Sequence, residues 1–142
     1  MSSAFEDKRG PRVVITGLGA VTALALTAEE TWQGLLAGHS GIDYVTGFDS
    51  SPYPTHFAGQ VKGFNPDDYM DRREARRLAR FSQYGVAAAK MAMADAGLTI
   101  SEDIADMAGV VLGNGAGSIP DVEDAVTKIR QGQGRRLSPL FM

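Results

Sequence analysis

From Arg12 onward, short apolar runs rich in β-branched residues alternate with longer stretches of helical periodicity. Val13-Val14-Ile15-Thr16 lacks the every-other-residue alternation of a half-exposed strand, and predicts a strand of a parallel sheet buried on both faces. Ala108 to Leu112 predicts a second such strand. Between them, Thr27-Ala28-Glu29-Glu30 has the spacing of a capping box, so a helix should follow with Trp32, Leu35 and Leu36 as its apolar face. Gly38 suits the left-handed position that closes such a helix. Residues 39 to 66 carry Gly and Pro throughout and predict an irregular surface excursion with one short strand, Phe57 to Val61. Asp67 to Gly97 predicts helices, one basic and one rich in Ala. The second has a stripe of Phe81, Tyr84, Ala88, Met91 and Leu98, and its alanines imply close packing. Ser118, Pro120 and Asp121 open a last helix with apolar Val122, Ala125, Val126 and Ile129, ended by Gly132 and Gly134.

The fold class is therefore α/β. Residues 1–11 are small, polar and charged and end in Gly-Pro, which predicts a flexible N-terminal tail. The apolar end Leu140-Phe141-Met142 is unusual for a free terminus, so residues 12–142 are expected to be an incomplete part of a larger fold.

Composition narrows the function. The 142 residues amount to about one domain, and 44% apolar with 22% charged residues is ordinary for a soluble globular protein. A net charge of −3 gives no global attraction to nucleic acid. No apolar run is long enough to span a bilayer and the N-terminus is too polar for a secretory signal, so a cytoplasmic protein with no membrane partner is expected. With no cysteine the sequence has no disulfide, no thiolate metal site and no thiol nucleophile; no metal site is expected.

Gly17-Leu18-Gly19 after the first apolar run raises the question of a dinucleotide turn. That turn needs a third glycine, where this chain has Thr22, and a helix whose N-terminus receives the phosphates. The helix here starts near Thr27. About twenty residues on, where an acidic ribose ligand belongs, the chain reads AGHSGI. A nucleotide-binding module is disfavoured on each count.

The same residues resemble something more specific. VVITGLGAVT, the following Trp and Leu-Leu-Ala-Gly-His-Ser-Gly-Ile, then FAGQVKGFNP, RREARRLARFSQYGVAAAKMAMADAGL, GVVLGNGAG and RRLSPLFM resemble, in order, the N-terminal segment of β-ketoacyl-acyl carrier protein synthases, most like type II. The resemblance is colinear over nearly all of Arg12 to Met142. It implies the first part of a thiolase-like layered α/β/α/β/α fold, a homodimer, and a condensing enzyme of fatty acid biosynthesis. In that family a Cys thiolate takes the acyl group from its carrier protein; malonyl-carrier protein then decarboxylates and the carbanion attacks the thioester, with two His assisting. None of these three residues is present here, since His39 and His56 lie in the loop region and match neither histidine. No cofactor is implied beyond the phosphopantetheine arm that the carrier protein brings.

The resemblance assigns recognition roles instead. Arg72, Arg73, Arg76 and Arg77, with Arg135 and Arg136, are similar to the surface that docks acyl carrier protein, and guanidinium forks suit carboxylate and phosphate. Arg80 is set apart as the arginine more suited to internal pairing. Asp67, Asp68, Asp71 and Glu74 partly neutralise the patch. Ala116 and Phe141 match positions that bound the acyl pocket at the dimer interface. The family commonly has Ile where Ala116 stands, which implies room for a longer acyl chain. Three departures concern the subgroup: Thr22-Ala23-Leu24-Ala25 where T-P-x-G is usual, Ala79 where Asp is common, and Gly113-Asn114-Gly115-Ala116-Gly117-Ser118 where G-S-G-I-G-G is usual. The alternatives are a non-catalytic partner like a chain-length factor and a polyketide ketosynthase.

Overall fold

The computed structural model describes residues 12–137. In order these form α1 (Ala28–Leu36), β1 (Ile42–Tyr44), β2 (Phe57–Gly59), α2 (Arg72–Ala75), α3 (Arg80–Asp95), α4 (Glu102–Ala105) and α5 (Ile119–Arg130), with 3₁₀ turns at Pro66–Asp68 and Gly134–Arg136. The expected tail at 1–11 lies outside the described residues.

The helix ends follow local chemistry. At α1 the Thr27 Oγ1 accepts the Glu30 N–H at 3.2 Å, as a capping box requires, but the Glu30 carboxylate accepts the Thr27 hydroxyl proton at 3.0 Å in place of the backbone N–H. Gly38, at φ +71°, closes α1: its N–H reaches Leu35 O and the His39 N–H reaches Gly34 O. Gly97 and Gly132 close α3 and α5 with the same pair of bonds. Ala79 is the N-cap of α3 in extended conformation, with no side-chain cap. Ala79→Asp is therefore expected to stabilise the protein by about 1 kcal/mol, read as a higher thermal midpoint; an unchanged midpoint would count against this cap.

α3 is the element on which the other segments converge. A Cβ on Gly17 would meet the Ala92 carbonyl oxygen and lie 2.6 Å from the Ala96 nitrogen; one on Gly19 would meet the Ala88 carbonyl oxygen and lie 2.7 Å from the Ala92 nitrogen. The two glycines thus let one backbone lie directly on another across the Ala88, Ala92 and Ala96 face. Asp95 of α3 fastens the same segment, its carboxylate accepting the Leu18 N–H at 2.8 Å. On the next turns of α3, Leu112 packs beside Gly85.

Neither predicted parallel strand forms a ladder among the described residues. Among the described residues the one sheet is the β1–β2 pair, and neither Val13–Thr16 nor Ala108–Leu112 belongs to it. A strand exists by its ladder, and among the described residues these runs have no neighbouring strand. Their side chains are correspondingly open, Val13 at 93% and Val111 at 101%. The expected α1 face is likewise uncovered: Trp32, Leu35 and Leu36 remain exposed, while Gly34 lies beside the Leu24 methyls.

The predicted excursion contains more order than its composition indicates. β1 and β2 pair antiparallel in the register Ile42 with Gly59, Asp43 with Ala58 and Tyr44 with Phe57, so β2 stops at Gly59 and β1 is an addition. Lys62 Nζ lies 2.5 Å from Asp43 Oδ2 across the pair. That bond, with the Tyr44 N–H, holds the Asp43 carboxyl below the usual range. Its small contribution is full above the ordinary Asp value and is lost as pH falls through the lowered one. The departures at Ala23 and Ala25 are absorbed locally: the Thr22 hydroxyl oxygen accepts the Leu24 and Ala25 N–H groups, both at 3.1 Å, and Ala25 needs no left-handed backbone.

The buried apolar residues are Phe64, Met70, Ala75, Ala87 and Ala125 among those described. Phe64 stacks on Tyr69 at 5.4 Å and takes the Tyr84 ring edge-on at 4.8 Å, which binds the 3₁₀ turn at Pro66–Asp68 to α3.

Candidate functional site

The arginines do not lie on one helix. Asp71 caps α2 by accepting the Arg73 and Glu74 N–H groups at 2.8 and 3.3 Å, and buried Ala75 ends that single turn. Arg76 and Arg77 fall in the link between α2 and α3. A continuous helix would stack like charges four residues apart, at a cost of a few tenths of a kcal/mol per pair, and the break separates them.

Gln83 and Arg80 hold that link. Gln83 Nε2 donates to Ala75 O at 2.8 Å and Leu78 O at 3.3 Å, spanning the corner from α3. Arg80 donates to Tyr84 Oη, Gln83 Oε1 and Phe64 O, all at 3.0 Å, while its guanidinium lies 4.8 Å from the Phe64 ring centre and 5.2 Å from that of Tyr84. Arg80 thus pairs internally, as the sequence indicated. Its hydrogen-bonding capacity goes into positioning its neighbours.

The remaining cations face outward. Arg72 approaches Asp67 at 3.9 Å with both side chains well exposed, an interaction too loose and too solvated to hold it. Arg73, Arg76 and Arg77 are exposed and form no ion pair among the described residues. Arg76 and Arg77 form one side of a cleft of about 740 Å³, whose other walls are the Asn114-to-Ser118 turn, α5 through Val122 and Ala125, and Leu137. Ala116 lies on that turn, so the structure brings part of the predicted docking patch and the predicted pocket position to the same cavity. Asp121 and Asp124 lie on the α5 side, Asp124 paired with Lys128 at 2.5 Å.

Arg135 is exposed on the 3₁₀ turn after α5 and does not line the cleft; Arg136 follows it on that turn. Phe141 lies outside the described residues. The two histidines do not meet catalytic chemistry: His56 Nδ1 is bonded to Ser50 O at 3.0 Å, and exposed His39 follows the α1 cap. Sequence reasoning overlooked Gln83 and Asn114. An Asn in a glycine-rich turn and a Gln in the first turn of α3 were the available signals.

The family model of the beta-ketoacyl synthase N-terminal domain matches residues 11–142, and the chain belongs to that family. It is 44% identical over 131 residues to 3-oxoacyl-[acyl-carrier-protein] synthase 2 of Staphylococcus aureus, and 40% identical over 131 residues to the protein of that name from Vibrio cholerae. Each match covers 92% of this chain and 32% of the relative, so the chain spans about a third of the length of those relatives. Two solved structures superpose with a TM-score of 0.72 at 30% identity, over 90% of this chain and 32% of theirs: the ishigamide ketosynthase/chain length factor and a beta-ketoacyl synthase from Burkholderia phymatum. With those ketosynthases the chain shares an α/β fold.

Proposed function

We propose that this chain forms the N-terminal part of a 3-oxoacyl-[acyl-carrier-protein] synthase that elongates acyl chains in fatty acid biosynthesis. The observation that carries the reading is the shared cleft, lined by Arg76 and Arg77, which form no ion pair among the described residues, and by the turn bearing Ala116. An acyl carrier protein presents both an anionic surface with its phosphate-linked arm and an apolar chain, and a site for it needs cations beside a cavity. Arg72, Arg73, Arg76 and Arg77, with Arg135 and Arg136, supply the docking charge. Ala116, with Phe141, bounds the acyl pocket in a homodimer.

The chemistry falls to residues this chain does not contain, since it has no cysteine to form the acyl thioester. The open faces of Val13–Ile15, of Val110–Leu112 and of α1 fit strands and a helix that gain neighbours in a layered α/β/α/β/α fold. No helix among the described residues is long and apolar enough to cross a membrane, and the proposed setting is the cytoplasm. No bound cofactor is required, because the carrier protein brings the phosphopantetheine arm. Relatives named as 3-oxoacyl synthases support elongation over a chain-length-factor role.

Chain-length preference tests the pocket. Ala116→Ile adds three carbons to the wall, and in the full-length synthase it is expected to lower the long-to-short acyl preference by about tenfold or more. Measuring kcat/KM across acyl-carrier proteins of graded length checks this; an unchanged profile would mean that Ala116 does not face the acyl chain.

A further inference from the structure

The Gly113–Gly117 turn has three glycines in five residues, and glycine-rich backbone has the most conformational freedom to lose. Among the described residues it contains a single hydrogen bond: Asn114 Oδ1 accepts the Gly117 N–H at 3.1 Å. Gly117 is at φ +65°, and among the described residues no atom beyond the chain neighbours lies within 4 Å of a Cβ placed on Gly113, Gly115 or Gly117. The bond closes a ring around Gly115 and Ala116, and Asn114, Ala116 and Gly117 line the cleft. In a turn so rich in glycine, one side-chain acceptor narrows where the wall can stand.

We infer that Asn114 is a positioning residue for acyl-chain selectivity: its amide oxygen locks the glycine-rich turn and so fixes the distance at which Ala116 meets the acyl chain. The inference rests on the pocket reading above. A locked wall discriminates sharply between chain lengths, whereas a loose one yields to longer chains at little cost. The expected consequence of Asn114→Ala is therefore a flatter chain-length profile, not a uniform loss of activity.

The test compares wild type, N114A and N114D in the full-length synthase, measuring kcat/KM for a short and a long acyl-carrier protein alongside KM for the carrier. N114A is expected to shrink the ratio between the two chain lengths by about two- to tenfold, the range of one hydrogen bond, with KM for the carrier held. N114D keeps an acceptor at the same place and is expected to restore the ratio. An active N114A with an unchanged ratio, or an N114D that behaves like N114A, overturns the inference while leaving the synthase reading intact. An N114A protein without a cooperative thermal transition overturns it too, because the bond would then be holding the fold. A wild type that elongates no acyl chain removes the pocket reading and this inference with it.

Discussion

Gly19→Val is expected to lower the thermal midpoint by roughly 10 °C or more, or to abolish the cooperative transition altogether. Any Cβ at this position runs into the Ala88 carbonyl oxygen and approaches the Ala92 nitrogen to 2.7 Å, both backbone atoms of α3. A flexible side chain could swing aside, but helix backbone cannot yield without breaking its own ladder. Overpacking in a yielding core costs about 1–3 kcal/mol, and an unyielding contact sits at or above the top of that range. For a chain of this length about 3 kcal/mol corresponds to a shift near 10 °C. Gly109→Ala provides the contrast, since nothing lies within 4 Å of a Cβ there and its backbone is not left-handed; its midpoint should match wild type. Circular dichroism melts of the pair decide the matter, and a G19V protein that melts with wild type would refute the packing role of the glycines.

The second large effect concerns recognition. Reversing Arg76 and Arg77 to Glu is expected to weaken binding of acyl carrier protein roughly 30- to 150-fold at low salt. Each reversal removes an attraction and adds a repulsion, each worth up to about 1 kcal/mol at an exposed site, which gives about 2–3 kcal/mol for the pair. The loss should fall mainly on the association rate and shrink to a few-fold at high ionic strength, where the Debye length drops to about 3 Å near 1 M salt. Arg80→Glu should behave differently: it loses three hydrogen bonds and two ring contacts, so its effect appears first in stability. Titrations of the carrier at two salt concentrations separate the cases. An R76E/R77E protein that binds as tightly as wild type would remove these arginines from the docking surface.

What the sequence made legible was local. The Thr27 cap and the Gly38 closure follow from hydrogen bonds between residues a few positions apart, and α5 starts after Ser118 with Pro120 in its first turn, though Ser118 makes no side-chain cap bond; each stands where its residues predict. The Val13 and Ala108 runs were read as strands from apolarity alone, yet a ladder depends on partners that these residues do not reveal. β1 escaped notice because three residues, Ile42-Asp43-Tyr44, carry too little alternation, and their order comes from pairing with Phe57–Gly59. The glycine turn invited a nucleotide reading, but Gly17 and Gly19 serve contact with a helix some seventy residues further along, which only tertiary structure displays. Within the site, the five arginines were visible as a cluster. Which of them are spent internally was decided by the Phe64, Gln83 and Tyr84 partners that fold around Arg80. The cleft that joins Arg76 and Arg77 to Ala116 spans some forty residues of sequence and could be anticipated only through the family resemblance.

The most direct test of the central claim is to incubate the full-length polypeptide with acyl-carrier protein and malonyl-carrier protein and to identify the products by mass. A synthase releases carbon dioxide from the malonyl group and leaves a 3-oxoacyl-carrier protein extended by the remaining acetyl unit, with one carbon dioxide for each chain extended. Recovery of the acyl chain unextended, with the carrier bound but no thioester formed on the protein, would contradict the account and assign the chain to a non-catalytic partner of the same fold.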